Sequence, residues 1–100
     1  MLNAAFIFIA PEADPAIHRS TVKTPEIVLT TIGVSTFKQA AEAAKEMVDQ
    51  GCTAIELCGG FGIRGTWIVE QAVSERARVG SVRFDIHPGL GNRSGDEVFV

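Results

Sequence analysis

The chain has only two cysteines, Cys52 and Cys58, among its 100 residues. Both fall in or beside one expected strand, where their spacing separates the Cα atoms by roughly 20 Å. A disulfide needs about 4.4–6.8 Å, so the two do not pair. The only histidines, His18 and His87, are far apart and match no zinc-ligand spacing with these cysteines. No metal and no cofactor is therefore assigned. Reduced, largely buried thiols fit a cytoplasmic protein. Basic charge is also in deficit: 9 Lys and Arg stand against 12 Asp and Glu, for a net charge of -3 and a pI of about 5.3. Nucleic acid and anionic membranes reward a basic surface, so neither is expected as a partner. No stretch approaches the about 18 apolar residues of a membrane span. The apolar run from Ala4 to Ala10 has no basic residue before it, which argues against a signal peptide. Repeats, linkers and low-complexity stretches are absent.

What is present is 46% hydrophobic and 21% charged. That balance excludes disorder, and the length excludes a multidomain enzyme. One α/β domain over residues 1–100 is expected. Ala4–Ala10 is a continuous apolar run and reads as a central strand buried on both faces. Asp14 followed by Pro15 resembles an N-cap with proline at the first helical position, predicting a short helix to about Val22. Glu26 to Val34 holds the β-branched run of a second strand. Thr36 and Gln39 form a capping-box pattern. Phe37, Ala40, Ala41, Ala44, Met47 and Val48 follow as one apolar helical stripe, with Gly51 as the expected stop. Cys52–Cys58 is the third strand. A glycine-rich loop and a helix from about Thr66 to Ala77 follow, then a fourth strand over Val79–Ile86. The tail from His87 to Asp96 reads as loop, and Val98–Val100 as a short edge strand or a partner contact.

Strands alternating with helices imply right-handed parallel βαβ units. The most economical arrangement is a small doubly wound, mostly parallel four-stranded sheet in order 2-1-3-4, in three αβα layers. The competing arrangement drops the first helix and sets strands one and two antiparallel.

Ligands of such sheets sit beyond the carboxyl ends of the strands, where strand order reverses. Here that point lies between strands one and three. Asp14, His18 and Arg19 follow strand one; Arg64 and Thr66 follow strand three; Asp85, His87 and Arg93 follow strand four. Gly59, Gly60, Gly62 and Gly65 lie between a strand and a helix N-terminus, whose free amides and dipole suit a phosphate or carboxylate. Arg64 would add charge-assisted hydrogen bonds. The same glycines also serve a purely structural tight turn. The loop lacks the Gly-Lys-Ser/Thr of a P-loop, and its G-x-G-x-x-G string, Gly60–Gly65, follows the third strand rather than the first. Asp85 and His87 share one strand face and are candidate acid–base groups, as are Asp14 and His18. Cys58 reads as a nucleophile beside a helix N-terminus or as an inert thiol, and Trp67 as a ligand cover or a packing residue.

Glu56 lies inside the third strand, on one face with Ala54 and Cys58, while Ile55 and Leu57 take the other. Ser81, Arg83, Asp85 and His87 give strand four a polar face. That face suits a solvent-exposed sheet edge, a subunit interface or a site reached through Asp85 and His87.

The strings AFIFIAPEADP at 5–15, HR at 18–19, DQGCTAIELCGGFG at 49–62 and VRFDIHPG at 82–89 resemble a family of small bacterial and archaeal proteins of unknown function. The resemblance spans nearly the whole chain. It implies a self-contained protein and brings no reaction, cofactor or catalytic residue. Two functions are expected from the residues. One is binding of an anionic small molecule, with or without catalysis, at the carboxyl end of the sheet. The other is a non-catalytic oligomeric or regulatory module. Four strands and their helices use nearly all of the chain, so a closed site needs the tail or a neighbouring subunit, and a homo-oligomer, dimer or higher, is expected.

Overall fold

The computed structural model describes residues 1–99. In chain order its elements are β1 (Leu2–Ile9), β2 (Arg19–Lys23), β3 (Ile27–Val34), α1 (Phe37–Asp49), β4 (Ala54–Leu57), α2 (Ile63–Val73), β5 (Arg78–Ser81) and α3 (Gly95–Val98). Short 3-10 turns cover Ser74–Arg76 and Pro88–Leu90. The fold is α/β, with one mixed, mostly parallel five-stranded sheet in order β2-β3-β1-β4-β5. β3, β1, β4 and β5 run parallel, and β2 pairs antiparallel with β3. The four expected strands therefore lie in the expected order 2-1-3-4, and strand two is parallel to strand one.

Three local expectations are corrected. The helix expected from Asp14 is a single turn. The Asp14 side chain accepts from the Ala16 amide at 2.9 Å, and its carbonyl accepts from the Ile17 and His18 amides. A helix of two turns is marginal alone. Ser20, Thr21 and Val22 instead gain a full antiparallel ladder against Thr31, Thr30 and Leu29. The fourth strand ends at Ser81 rather than Ile86. Its one neighbour among the described residues, β4, stops at Leu57, and the last ladder bond runs from the Val82 amide to the Leu57 carbonyl. The tail, read as loop, contains α3. Its capping box has Ser94 Oγ accepting from the Asp96 amide at 3.3 Å and Glu97 accepting from the Ser94 amide at 3.1 Å. Val98 ends α3 and Phe99 is buried, so no edge strand forms there. Val100 lies outside the described residues.

α1 begins as its sequence requires. Thr36 Oγ1 accepts from the Gln39 amide at 3.0 Å, while Gln39 Oε1 accepts from the Ser35 amide and hydroxyl. Gln50 caps the other end, and Gly51 follows at φ 95°, the left-handed position that favours glycine. The buried stripe is Phe37, Ala40, Ala43, Ala44, Met47 and Val48. Ala43 thus takes the place expected of Ala41, which is only half-buried.

The core lies on one face of the sheet. Ala5, Ile7 and Ile9 of β1, Ile32 and Val34 of β3, and Ile55 and Leu57 of β4 form one buried cluster with α1 and with Val69 and Val73 of α2. Each fully buried Ile or Leu contributes about 1.5–3 kcal/mol. The αβα layers are uneven. α1 and α2 follow crossovers in the same direction along the sheet and share this face. The β1-to-β3 connection, which would cover the opposite face, is a turn and β2 instead of a helix. The register places Leu2, Ala4, Phe6 and Phe8 of β1 on that opposite face. Beside them lie Ser20 and Val22 of β2, Ile27, Leu29, Thr31 and Gly33 of β3, Ala54 and Glu56 of β4, and Arg78 and Gly80 of β5.

Candidate functional site

The glycine-rich loop leads into α2, whose N-cap is Gly62 and has no side chain to satisfy the first turn. The free amides of that turn are met from far along the chain. The Asp96 carboxylate accepts from the Arg64 amide at 2.6 Å and from the Gly65 amide at 2.9 Å. These are the second and third helical positions, the ones an N-cap side chain ordinarily serves. With this cap α2 starts at Ile63, ahead of the expected Thr66. Arg64 turns to the same tail. Its guanidinium donates to the Asp96 carbonyl at 3.0 Å and the Phe99 carbonyl at 2.9 Å, and lies 5.1 Å from the Phe37 ring centroid.

The loop glycines are required by close approach rather than by left-handed backbone. None of Gly59, Gly60, Gly62 and Gly65 has positive φ. A Cβ on Gly62 would run into the Asp96 carboxylate, and one on Gly59 into the Phe84 ring. The tail glycine Gly95 lies against the Gly60 carbonyl in the same way. The loop is thus shaped around parts of its own chain. Where strand order reverses, between β1 and β4, the space holds Cys58. Its Sγ accepts from the Ile9 amide at 3.4 Å and from the Gly60 amide at 3.3 Å.

The candidate acid–base groups do not form one constellation. Asp14 and His18 bond locally: the Asp14 amide donates to His18 Nδ1 at 2.8 Å. Asp85 pairs with Arg83 at 2.9 Å, not with His87. His87 Nδ1 accepts from the Gly89 amide, its ring lies 4.8 Å from that of Phe84, and its backbone bridges to Arg93. Arg93 Nε donates to the Leu90 carbonyl. Arg19 reaches α1, donating to Glu46 at 2.8 and 3.3 Å and to the Pro15 carbonyl at 2.6 Å. This hydrogen-bonded pairing raises the Arg19 pKa and holds Glu46 below the usual carboxylate range. Burial pushes the Cys52 thiol up. Among the described residues, no three His, Cys, Asp or Glu side chains cluster as metal ligands would.

Of the cavities along β5, two reach Ser81 at its carboxyl end. One, of about 290 Å³, joins Gly62, Ile63, Thr66 and Trp67 of the α2 entry to Ser81 and Arg83, with Thr66 Oγ1 3.2 Å from Ser81 Oγ. The other, of about 250 Å³, lies on the open sheet face between Phe6, Glu56, Gly80 and Val82. Neither is lined by His18, Arg64 or His87.

The residues that organise this end of the molecule and were missed in sequence are Asp96 and Phe99. The signal that exposes them is the S-x-x-E pattern of Ser94 and Glu97, which marks a helix start inside the supposed loop. Among the described residues, no helix is long and apolar enough to cross a membrane. No curated protein and no solved structure matches the chain. A family model does, over nearly the whole length and in keeping with the resemblance noted above: residues 2–97 match DUF6506, described as a family of unknown function, and the chain belongs to that family.

Proposed function

We propose that this chain is a non-catalytic, self-associating module whose working surface is the open face of its sheet. One observation carries the reading. Mostly parallel sheets are ordinarily covered on both faces, and this one carries Phe6, Phe8, Leu29, Val22, Leu2 and Ile27 on a face that no helix covers among the described residues. Val22 is 60% exposed, and Leu2 and Ile27 are exposed beside it. Contiguous apolar surface of this kind marks an interaction site. The scatter of His18, Arg64 and His87 supports a binding role over a catalytic one. The two free cysteines accord with a cytoplasmic setting.

The test is the molar mass in solution. Light scattering behind size exclusion at about 100 μM should give a dimer or larger, since a Kd near 1 μM keeps most chains assembled there. Val22→Glu, at a position already exposed, should shift the chain to monomer with its circular dichroism unchanged. A wild-type monomer at that concentration overturns the reading.

A second reading, an anionic small molecule at the carboxyl end of the sheet, has one observation in its favour. The α2 cradle already holds a carboxylate, that of Asp96. An external phosphate or carboxylate would take the same amides in Asp96→Ala. Phosphate and citrate should then raise the melting temperature of that variant. Equal melting with and without them removes this reading.

A further inference from the structure

We infer that two copies meet across the open sheet face about a two-fold axis that lies in the contact and runs across the strands, between the Ala54–Arg78 and Glu56–Gly80 rows, with Glu56 of each copy reaching Arg78 of the other. The inference rests on the self-association reading and specifies its geometry. Glu56 stands opposite Gly80, and Ala54 opposite Arg78, so Glu56 and Arg78 lie on the same face of adjacent strands, two residues out of step. One strand spacing and two residue rises put their Cα atoms roughly 8 Å apart. Both are exposed, and among the described residues neither joins an ion pair with the other or with any third group. The other strand residues on this face are uncharged.

In a two-fold contact, residue i meets j and j meets i. One acid and one base on an apolar face form the smallest charge pattern complementary to itself. A face carrying only one of them would set like charges together at the axis. The face also has a receptacle. A Cβ on Gly80 would meet nothing within 4 Å, and the gap it leaves is the cavity of about 250 Å³ between Phe6, Glu56 and Val82. A guanidinium entering there would stack on the Phe6 ring and reach the Glu56 carboxylate, the planar pairing that arginine favours. The size is adequate. Five strands span roughly 24 Å and their mean length roughly 20 Å, about 500 Å² in projection. Side-chain relief and the flanking Val82 carry this toward the about 800 Å² per partner of a standard interface.

Charge reversal tests the geometry. Glu56→Arg and Arg78→Glu should each weaken self-association at least about tenfold in Kd by sedimentation equilibrium. Mixing the two single variants in equal amounts should restore dimers, because each carries two like charges that match the other's. A pairing of Glu56 and Arg78 within one chain predicts no such rescue. Unchanged circular dichroism of each variant shows that the mixture compares folded chains. A wild-type monomer overturns the self-association reading itself. A wild-type dimer with indifferent single variants, or with no rescue on mixing, overturns this inference alone.

Discussion

Removing the Asp96 carboxylate has a calculable cost. The side chain satisfies two of the four amides that open α2, at 2.6 and 2.9 Å, and sets a negative charge at the positive end of the helix. Loss of a capping side chain costs about 0.5–2 kcal/mol, and loss of the charge–dipole interaction about 0.3–1 kcal/mol. Hydrogen bonds to a charged acceptor lie toward the upper part of that span. Asp96→Ala should therefore lose about 2 kcal/mol. For a chain of this size that lowers the melting temperature by about 10 °C. Urea denaturation followed through Trp67, the single tryptophan and a residue of α2 itself, reads the loss directly. Asp96→Asn keeps an acceptor oxygen but not the charge and should lose about half as much. A loss below about 0.5 kcal/mol in Asp96→Ala would refute the cap, because water would then serve the two amides as well as the carboxylate does.

The Arg19–Glu46 pair predicts an acid-side effect of known sign. Glu46 is held below the usual carboxylate range by its hydrogen bond from Arg19, so its stabilisation is complete above that range and disappears as pH falls through the lowered value. Because the pair is well exposed, Glu46→Gln should cost only about 0.5 kcal/mol at neutral pH and nothing at about pH 2, by urea midpoints. The thiols should separate by reactivity. Cys52 is buried with its pKa raised, and Cys58 is half-buried, so native protein should label first at Cys58 with an aromatic disulfide, and Cys52 only on unfolding. Equal labelling rates would contradict the packing around Cys52.

The parallel part of the sheet was legible because its strands are short apolar runs with one buried parity. Ile55 and Leu57 inward and Glu56 outward follow from alternation alone. α1 was legible from Thr36 to Gly51, since cap, stripe and stop agree within one segment. Reading failed where a distant partner decides. Asp14–Val22 carries a real helix-start signal, but the vacant edge of β3 offers Ser20, Thr21 and Val22 more hydrogen bonds than two helical turns would. Phe84 and Ile86 have strand propensity and no neighbour to pair with. The glycine loop was legible as a place where something must come close. Its visitors, Asp96 and Phe84, lie more than twenty residues downstream, where no local pattern points back to it. The open face was hidden for a related reason: the run Ala4–Ala10 is apolar on both parities, which suggests burial on both sides, and only the missing crossover helix reveals that one side is bare.

A helix held at its start by a residue about thirty positions later matures out of step with its own synthesis. While the chain is being made, β1 through β4 and α1 can collapse as soon as they emerge, but the first turn of α2 stays frayed until Asp96 follows. The segment that closes the helix is therefore made after the elements it closes on. Until it is, the nascent protein presents its bare sheet and a loose helix together, the stage at which premature contact between neighbouring chains is most costly.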